Sequence, residues 1–282
     1  MNGVKMTKQE QIEEMAKDIV RIAGLDVYGK AEELFNLGYR KLPEDSAIEL
    51  DKIYNMDCLD GMRLMKEQDI KVDCVITDPP YLINYKTNHR KDKAHKFRHV
   101  IKNDNNPQLI KDLMPLLYDV MKDDTPLYMF SGSDHIDFFL QEVKRFFTVK
   151  NIIVWDKCSH TAGDTEAQYG KRYEFIIYAN KGRAVFNEDA ERLADIWRVG
   201  RITGNEQIHQ NQKPVDLIAK ILNIHSKEND LVFDPFIGSG TTAVACHRLK
   251  RHYIGFELDK EYFDIANERI KAEKSQINIF DL

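Results

Sequence analysis

Residues 231–242 read Leu231-Val232-Phe233-Asp234-Pro235-Phe236-Ile237-Gly238-Ser239-Gly240-Thr241-Thr242. An apolar run reaches an acid, a proline and a Gly-x-Gly turn, and a helix pattern follows over Thr241–Arg248. This is a strand entering a glycine loop that opens a helix. Such glycines let the backbone approach a ligand, and the helix N-terminus offers N–H groups to anionic oxygens. The next strand pattern, Tyr253–Phe256, ends at Glu257, an acid placed to accept hydrogen bonds from both hydroxyls of a ribose. Gly238-Ser239-Gly240-Thr241-Thr242-Ala243 fits the GxGxxG/A pattern of dinucleotide-binding turns. A plain strand–helix connection remains the alternative for a Gly-x-Gly turn alone. Only 42 residues follow Gly240. A conventional dinucleotide domain begins with its glycine loop, so an ordinary dehydrogenase fits badly.

Upstream, strand and helix patterns alternate from Glu49 onward. Strands are expected at Lys52–Asn55, Val72–Thr77, Leu127–Phe130, Asn151–Trp155 and Glu174–Ala179. Helices are expected at Leu59–Gln68, Leu109–Met121, Ile136–Phe147, Pro214–Asn223 and Glu261–Glu273. Residues 183–211 read as irregular. Alternating units imply an α/β fold, an open and mostly parallel sheet with helices on both faces. Residues 1–48 read as a separate, small helical appendage, with apolar residues at helical spacing over Gln9–Ala23. The main domain is expected over 49–282.

Composition sets the outer limits. The 282 residues are 43% hydrophobic and 31% charged, with a net charge of −5. That excludes a disordered chain and a wholesale polycation, though not a local basic face. No stretch approaches the roughly 18 apolar residues of a membrane span, and MNGVKMTKQEQ lacks the apolar core of a signal peptide. Four cysteines without a CxxC pair argue against a zinc ribbon and for a reduced, cytoplasmic protein. No metal-binding constellation stands out.

The strand at 72–77 ends in Asp78-Pro79-Pro80-Tyr81. Two prolines remove two donors and stiffen the turn, leaving carbonyl acceptors. Asp78 adds a carboxylate and Tyr81 a flat aromatic face. A rigid acceptor cluster beside an aromatic plate suits a planar base with an exocyclic amine, which would donate to Asp78 and the Pro79 carbonyl and stack on Tyr81. A simple strand-ending turn is the alternative for this motif by itself.

Asp-Pro-Pro-Tyr followed by a Phe-x-Gly-x-Gly loop resembles the DNA amino-methyltransferases, in the order of that family's β group. The resemblance covers about residues 50–272. It implies a circularly permuted Rossmann-like fold, S-adenosylmethionine as cofactor, and methyl transfer to the exocyclic N6 of a flipped-out adenine in double-stranded DNA. It implies catalytic roles for Asp78, Pro79, Pro80 and Tyr81. It implies cofactor contacts from Asp57 near the adenine, from Lys213 (in His209-Gln210-Asn211-Gln212-Lys213-Pro214) at the methionine end, and from Asp234, Phe236, Gly238, Gly240, Thr241, Thr242 and Glu257. Val154-Trp155-Asp156-Lys157 and Tyr173–Gly182 resemble its later catalytic-half strands. Permutation would take the sheet's first strand from 231–233 and its third from near 53.

Aspartate at the first motif position leans toward adenine and serine toward cytosine, so N4-cytosine is the alternative. RNA or protein amino-methylation and a non-catalytic relic are further alternatives. Cytosine C5 chemistry needs a cysteine, usually after proline, and none of the four cysteines follows one. A base inside a duplex must leave the stack to reach such a pocket. Residues 86–102 carry Lys86, Arg90, Lys91, Lys93, Lys96, Arg98 and Lys102 against Asp92 alone, and are expected to meet DNA phosphates; a solvated loop is the alternative. Segments 158–171 and 183–208, with Arg183, Arg192, Arg198 and Arg201, are candidates for reading sequence. A homodimer could extend the DNA surface. A cognate restriction endonuclease, or a solitary phage or prophage setting, would fit the family, and the short leader weakly resembles those of phage-associated proteins.

Overall fold

A computed structural model describes residues 47–82, 105–160, 166–167, 169–187, 193–202 and 212–280. The helices expected before residue 48 lie outside these. Residues 49–282 form one unit of the chain.

Among the described residues, eight strands make one sheet: β1 Lys52–Tyr54, β2 Cys74–Thr77, β3 Thr125–Ser131, β4 Thr148–Asp156, β5 Tyr173–Lys181, β6 Ile196–Arg198, β7 Leu231–Asp234 and β8 His252–Phe256. The spatial order is β1-β8-β7-β2-β3-β5-β4-β6. Neighbours from β1 to β3 are parallel, β5 runs antiparallel to both β3 and β4, and β6 returns parallel to β4. β2, β3 and β7 are buried at every residue, which is why they read as continuous apolar runs and not as alternation.

Among the described residues, six helices cover the sheet: α1 Cys58–Glu67, α2 Pro107–Val120, α3 Ile136–Lys144, α4 Val215–His225, α5 Thr241–Arg248 and α6 Lys260–Phe280. They pack as two groups, α1 with α2 and α3, and α4 with α5 and α6. Successive strand residues point to opposite faces. Cys74, Ile76, Tyr128, Phe130 and Val232 join the core of α4, α5 and α6, including Ile218, Val244 and Ala266. Their strand neighbours face the other layer.

Placement of the site follows from connectivity. β7 continues through α5 to β8 on one side, and β2 continues through α2 to β3 on the other. The crossovers therefore diverge between β7 and β2, which lie side by side with Cys74 opposite Val232 and Val75 opposite Phe233. Ligands of open α/β sheets bind beyond the carboxyl ends of strands at such a point. The expected α/β class and permuted order both appear here: strand roles one and three fall to β7 and β1.

Two readings need correction. Residues 183–211 are not wholly irregular, because Ile196–Arg198 is β6. Only Trp197 of its three residues is buried, so three residues with one inward side chain left little pattern to see. The strand expected from Val72 starts at Cys74; Val72 makes a single bridge to Met121. Trp155 and Trp197 are core residues, each donating its indole N–H to a backbone carbonyl, of Val199 at 2.8 Å and Ala194 at 2.9 Å.

Gly61 shows how tightly the α1 layer meets the sheet. A β-carbon there would lie 2.4 Å from the Phe256 ring. That ring is fully buried and packs edge-on to Phe233 at 5.4 Å. Gly61→Ala gains about 1 kcal/mol of helix propensity but must displace a ring with nowhere to go, at about 1–3 kcal/mol. Net destabilisation of about 1 kcal/mol is expected in chemical denaturation; a stabilised variant would mean that the ring yields.

Candidate active site

The glycine loop is held by three side chains. Asp234 ends β7, and its Oδ1 accepts the Phe236 N–H at 3.1 Å while Oδ2 accepts the Thr242 hydroxyl at 2.6 Å. Arg269 of α6 donates to the Ser239 carbonyl at 3.1 Å and to Thr241 Oγ1 at 3.0 Å. Glu257, just beyond β8, accepts the Gly238 N–H at 3.0 Å and the Asp259 N–H at 2.7 Å.

The two glycines differ in purpose. Gly240 has φ +80° and a β-carbon there would sit 3.1 Å from Ala266 Cβ, so both backbone and packing demand glycine. Gly238 has φ +54°, and a β-carbon would meet nothing nearer than the Phe236 carbonyl at 3.9 Å. Its bare face opens onto a cavity of about 170 Å³. Asp57 reaches the same cavity while capping α1, accepting the Leu59 N–H at 2.9 Å.

Opposite lies the Asp78-Pro79-Pro80-Tyr81 turn, all four residues lining that cavity. Asp78 Oδ1 accepts the Tyr81 hydroxyl at 2.7 Å, and Oδ2 accepts Lys213 Nζ at 2.5 Å. Lys213 is also 3.3 Å from Glu174 Oε2, and Glu174 Oε1 takes Lys157 Nζ at 2.5 Å. Tyr81's oxygen is 3.1 Å from Glu174 Oε2. Two carboxylates and two ammoniums thus interlock. Gly132 backs the Tyr81 ring, since a β-carbon there would approach it to 3.1 Å.

Electrostatics follow from this pairing. Burial would pull the Lys213 ammonium down, but Asp78 and Glu174 outweigh it and hold its pKa above the usual lysine value. Burial pushes Glu174 up, yet Lys213 and Lys157 prevail and keep it below the ordinary range. Burial lifts the Asp78 carboxyl against the pull of Lys213. Burial raises Asp234 to about 7, and its hydrogen bonds from Thr242 and Phe236 only moderate that.

Set against the sequence, the structure brings Asp57, Lys213, Asp234, Phe236, Gly238, Thr241, Thr242 and Glu257 to the cavity that Asp78 and Tyr81 line. Gly240 stands behind it as the cap of α5. Lys213, assigned from sequence to the methionine end of a cofactor, lies against Asp78. Lys86, Arg90, Lys91, Lys93, Lys96, Arg98 and Lys102 fall outside the described residues, as do Arg192 and His209–Asn211. Sequence reasoning missed Glu174 and Lys157 as site residues. Their signal was available: a lone acid heads the apolar strand Tyr173–Lys181, and a lysine follows Trp155-Asp156 at the end of another.

Residues 72–268 match the DNA methylase family model N6_N4_Mtase. This chain belongs to the DNA methylase family. Type II methyltransferase M2.MboI of Moraxella bovis is 28% identical over 245 residues, 77% of this chain and 86% of the relative. Type II methyltransferase M.HinfI of Haemophilus influenzae is 26% identical, over 83% of this chain and 72% of the relative. The crystal structure of the M1.HpyAVI–SAM complex superposes with a TM-score of 0.60 at 31% identity, covering 78% of this chain and 98% of that one. The cytosine-N4-specific PvuII DNA methyltransferase gives a TM-score of 0.61 at 15% identity over 82% of this chain and 93% of its own, a likeness of fold alone. The methylase is therefore a DNA amino-methyltransferase of the N6-adenine/N4-cytosine class. No helix among its described residues is long and apolar enough to cross a membrane.

Asp234 makes the methylase's stability depend on pH. Its proton is bound more tightly folded than unfolded, so raising the pH from about 4 to 7 favours the unfolded state. Asp234→Asn removes that term. Between pH 5 and pH 8 the variant is expected to gain roughly 2 kcal/mol relative to the parent, read by denaturant unfolding at both pH values; parallel pH profiles would refute the buried, late-titrating acid.

Proposed function

We propose that this methylase transfers a methyl group from S-adenosylmethionine to the exocyclic N6 of a flipped-out adenine at a specific site in double-stranded DNA. One observation carries the reading: Asp78 and the glycine loop face each other across a single cavity at the sheet's switch point.

The cavity suits a nucleoside-bearing cofactor. Gly238 leaves its wall open, and the carboxylates of Asp57 and Glu257 rim the same space. A carboxylate oxygen has a second lone pair beyond the one given to a backbone N–H, so Glu257 can hold the glycine loop and still accept from ribose hydroxyls. Phe236, Gly238 and Asp57 would hold the adenosine portion. When bound, the cofactor supplies an activated methyl on a sulfonium.

The chain's own part is positioning. An exocyclic amine is a weak nucleophile because its lone pair is delocalised into the ring. Hydrogen bonds to Asp78 and the Pro79 carbonyl favour a pyramidal nitrogen and aim it at the donor, and alignment of this kind can supply much of a rate enhancement. Tyr81 offers the base a stacking face. Asp78 need not be a strong base, since the amine's proton becomes acidic after attack. The aspartate at position 78 supports adenine over cytosine.

In this reading the phosphates are met by the basic segment 86–102, and the bases are read from 158–171 and 183–208. The enzyme works in the bacterial cytoplasm, alone or beside a restriction endonuclease, as a monomer or a homodimer.

The test is expression in a host without DNA methylation, followed by single-molecule sequencing of that host's genome. N6-methyladenine confined to one short motif is expected. N4-methylcytosine would overturn the base, and an unmodified genome in cells holding folded protein would overturn the DNA substrate. Asp78→Ala and Asp78→Asn should lower transfer by roughly 10²–10³-fold while calorimetry finds cofactor binding largely retained. Surviving turnover would remove Asp78 from the mechanism.

A further inference from the structure

The turn that would receive the amine is already engaged. Asp78 Oδ1 holds the Tyr81 hydroxyl at 2.7 Å and Oδ2 holds Lys213 at 2.5 Å. Each oxygen keeps a second lone pair, but one that already accepts a strong donor is a weaker acceptor for the next, so the amine is held best where one of the two bonds gives way. Lys213 is the harder to displace, because it is buried, charged and 3.3 Å from Glu174. The Tyr81 hydroxyl is neutral and has a second acceptor within reach, Glu174 Oε2 at 3.1 Å. It has one proton to donate to two carboxylates.

We propose that Glu174 is a positioning residue that takes over the Tyr81 hydroxyl bond when the target base enters, releasing Asp78 Oδ1 for the exocyclic amine. This rests on the methyl-transfer reading above. No proton changes owner: a hydrogen bond from Tyr81 to Asp78 is exchanged for one from Tyr81 to Glu174, and the vacated oxygen accepts from the amine. The required movement is small, since both acceptors already lie within hydrogen-bonding range of one oxygen atom. Lys157, 2.5 Å from Glu174 Oε1, anchors the acceptor from the far side. Its anchoring leaves Oε2 facing Tyr81. Gly132 leaves the ring its seat behind. The arrangement also explains an acid at the head of β5, where an apolar strand residue would leave both lysines without a common partner.

A double-mutant cycle separates this role from plain charge balance. The probe is a duplex carrying the motif found by genome mapping, assayed in single turnover at saturating DNA and cofactor. Glu174→Gln keeps the shape but weakens the acceptor, so methyl transfer should fall about tenfold, with cofactor affinity unchanged as the check on folding. In the Tyr81→Phe background there is no hydroxyl to relocate, and the same substitution should cost under about threefold, a coupling of ordinary size for touching residues. Equal losses in both backgrounds would overturn the proposal and leave Glu174 as a charge partner only. A second readout needs no turnover. In protein labelled with carbon-13 at tyrosine Cζ, the signal assigned by its loss in Tyr81→Phe should shift on adding the duplex to the parent by clearly more than in Glu174→Gln, where base stacking alone contributes. A shift of the same size in both would also overturn it. Failure of the methyl-transfer reading shows earlier and differently, as an unmodified host genome.

Discussion

Four charges at the carboxyl edge of the sheet hold the site together. Removing one member of a buried ion pair typically costs about 3–5 kcal/mol, because the other is stranded. Lys213 sits between Asp78 and Glu174, and Lys157 closes the far side. Asp78 follows β2, Glu174 belongs to β5, Lys157 follows β4 and Lys213 precedes α4. Parts of the chain as far apart as 135 residues must therefore be in register before any charge is satisfied. The cluster is neutral in sum, so it can stay largely dry without a net field that would bias what enters.

The same logic explains why chain order matters so little to the fold. A crevice at a switch point needs β7 and β2 adjacent and their crossovers diverging. It does not need β7 to come first. Cutting the chain before β1 and bringing β7 in late changes connectivity on the far side of the helices and leaves the crevice intact. The glycine loop following the Asp78 turn in sequence was the visible trace of this arrangement.

Legibility followed burial and range of contact. β2, β3 and β7 were plain because both faces are covered, so apolar residues run on without a break. α5 was found with its bounds intact because two glycines and a threonine pair mark its start. β6 was lost because an edge strand with one buried residue has almost no period to detect. Lys213 and Glu174 were harder for another reason. Lys213 was visible as part of a motif, but its partner lies across the fold. Glu174 looked like any polar residue at a strand's first turn. Side chains whose meaning is a distant counter-charge carry no local signature, whereas a proline pair or a left-handed glycine does.

Electrostatics also decide where a polyanion would be drawn. At the edge shared by β4 and β5, Arg172 is paired with Asp156 through two contacts, 2.6 and 2.8 Å, and Arg198 lies 3.7 Å from the same acid. Lys171 meets Asp134 at 2.6 Å. These cations are partly spent on neighbouring acids, and the four-charge cluster is neutral. In a chain of net charge −5, the sequence concentrates positive charge elsewhere. Residues 86–102 do so in sequence, seven cations against one acid directly after the Asp78 turn. Under the proposed methyl-transfer reading, a basic run following that turn in sequence gathers into one short segment charges that, spread over an acidic surface, would be screened within roughly 10 Å at ordinary salt.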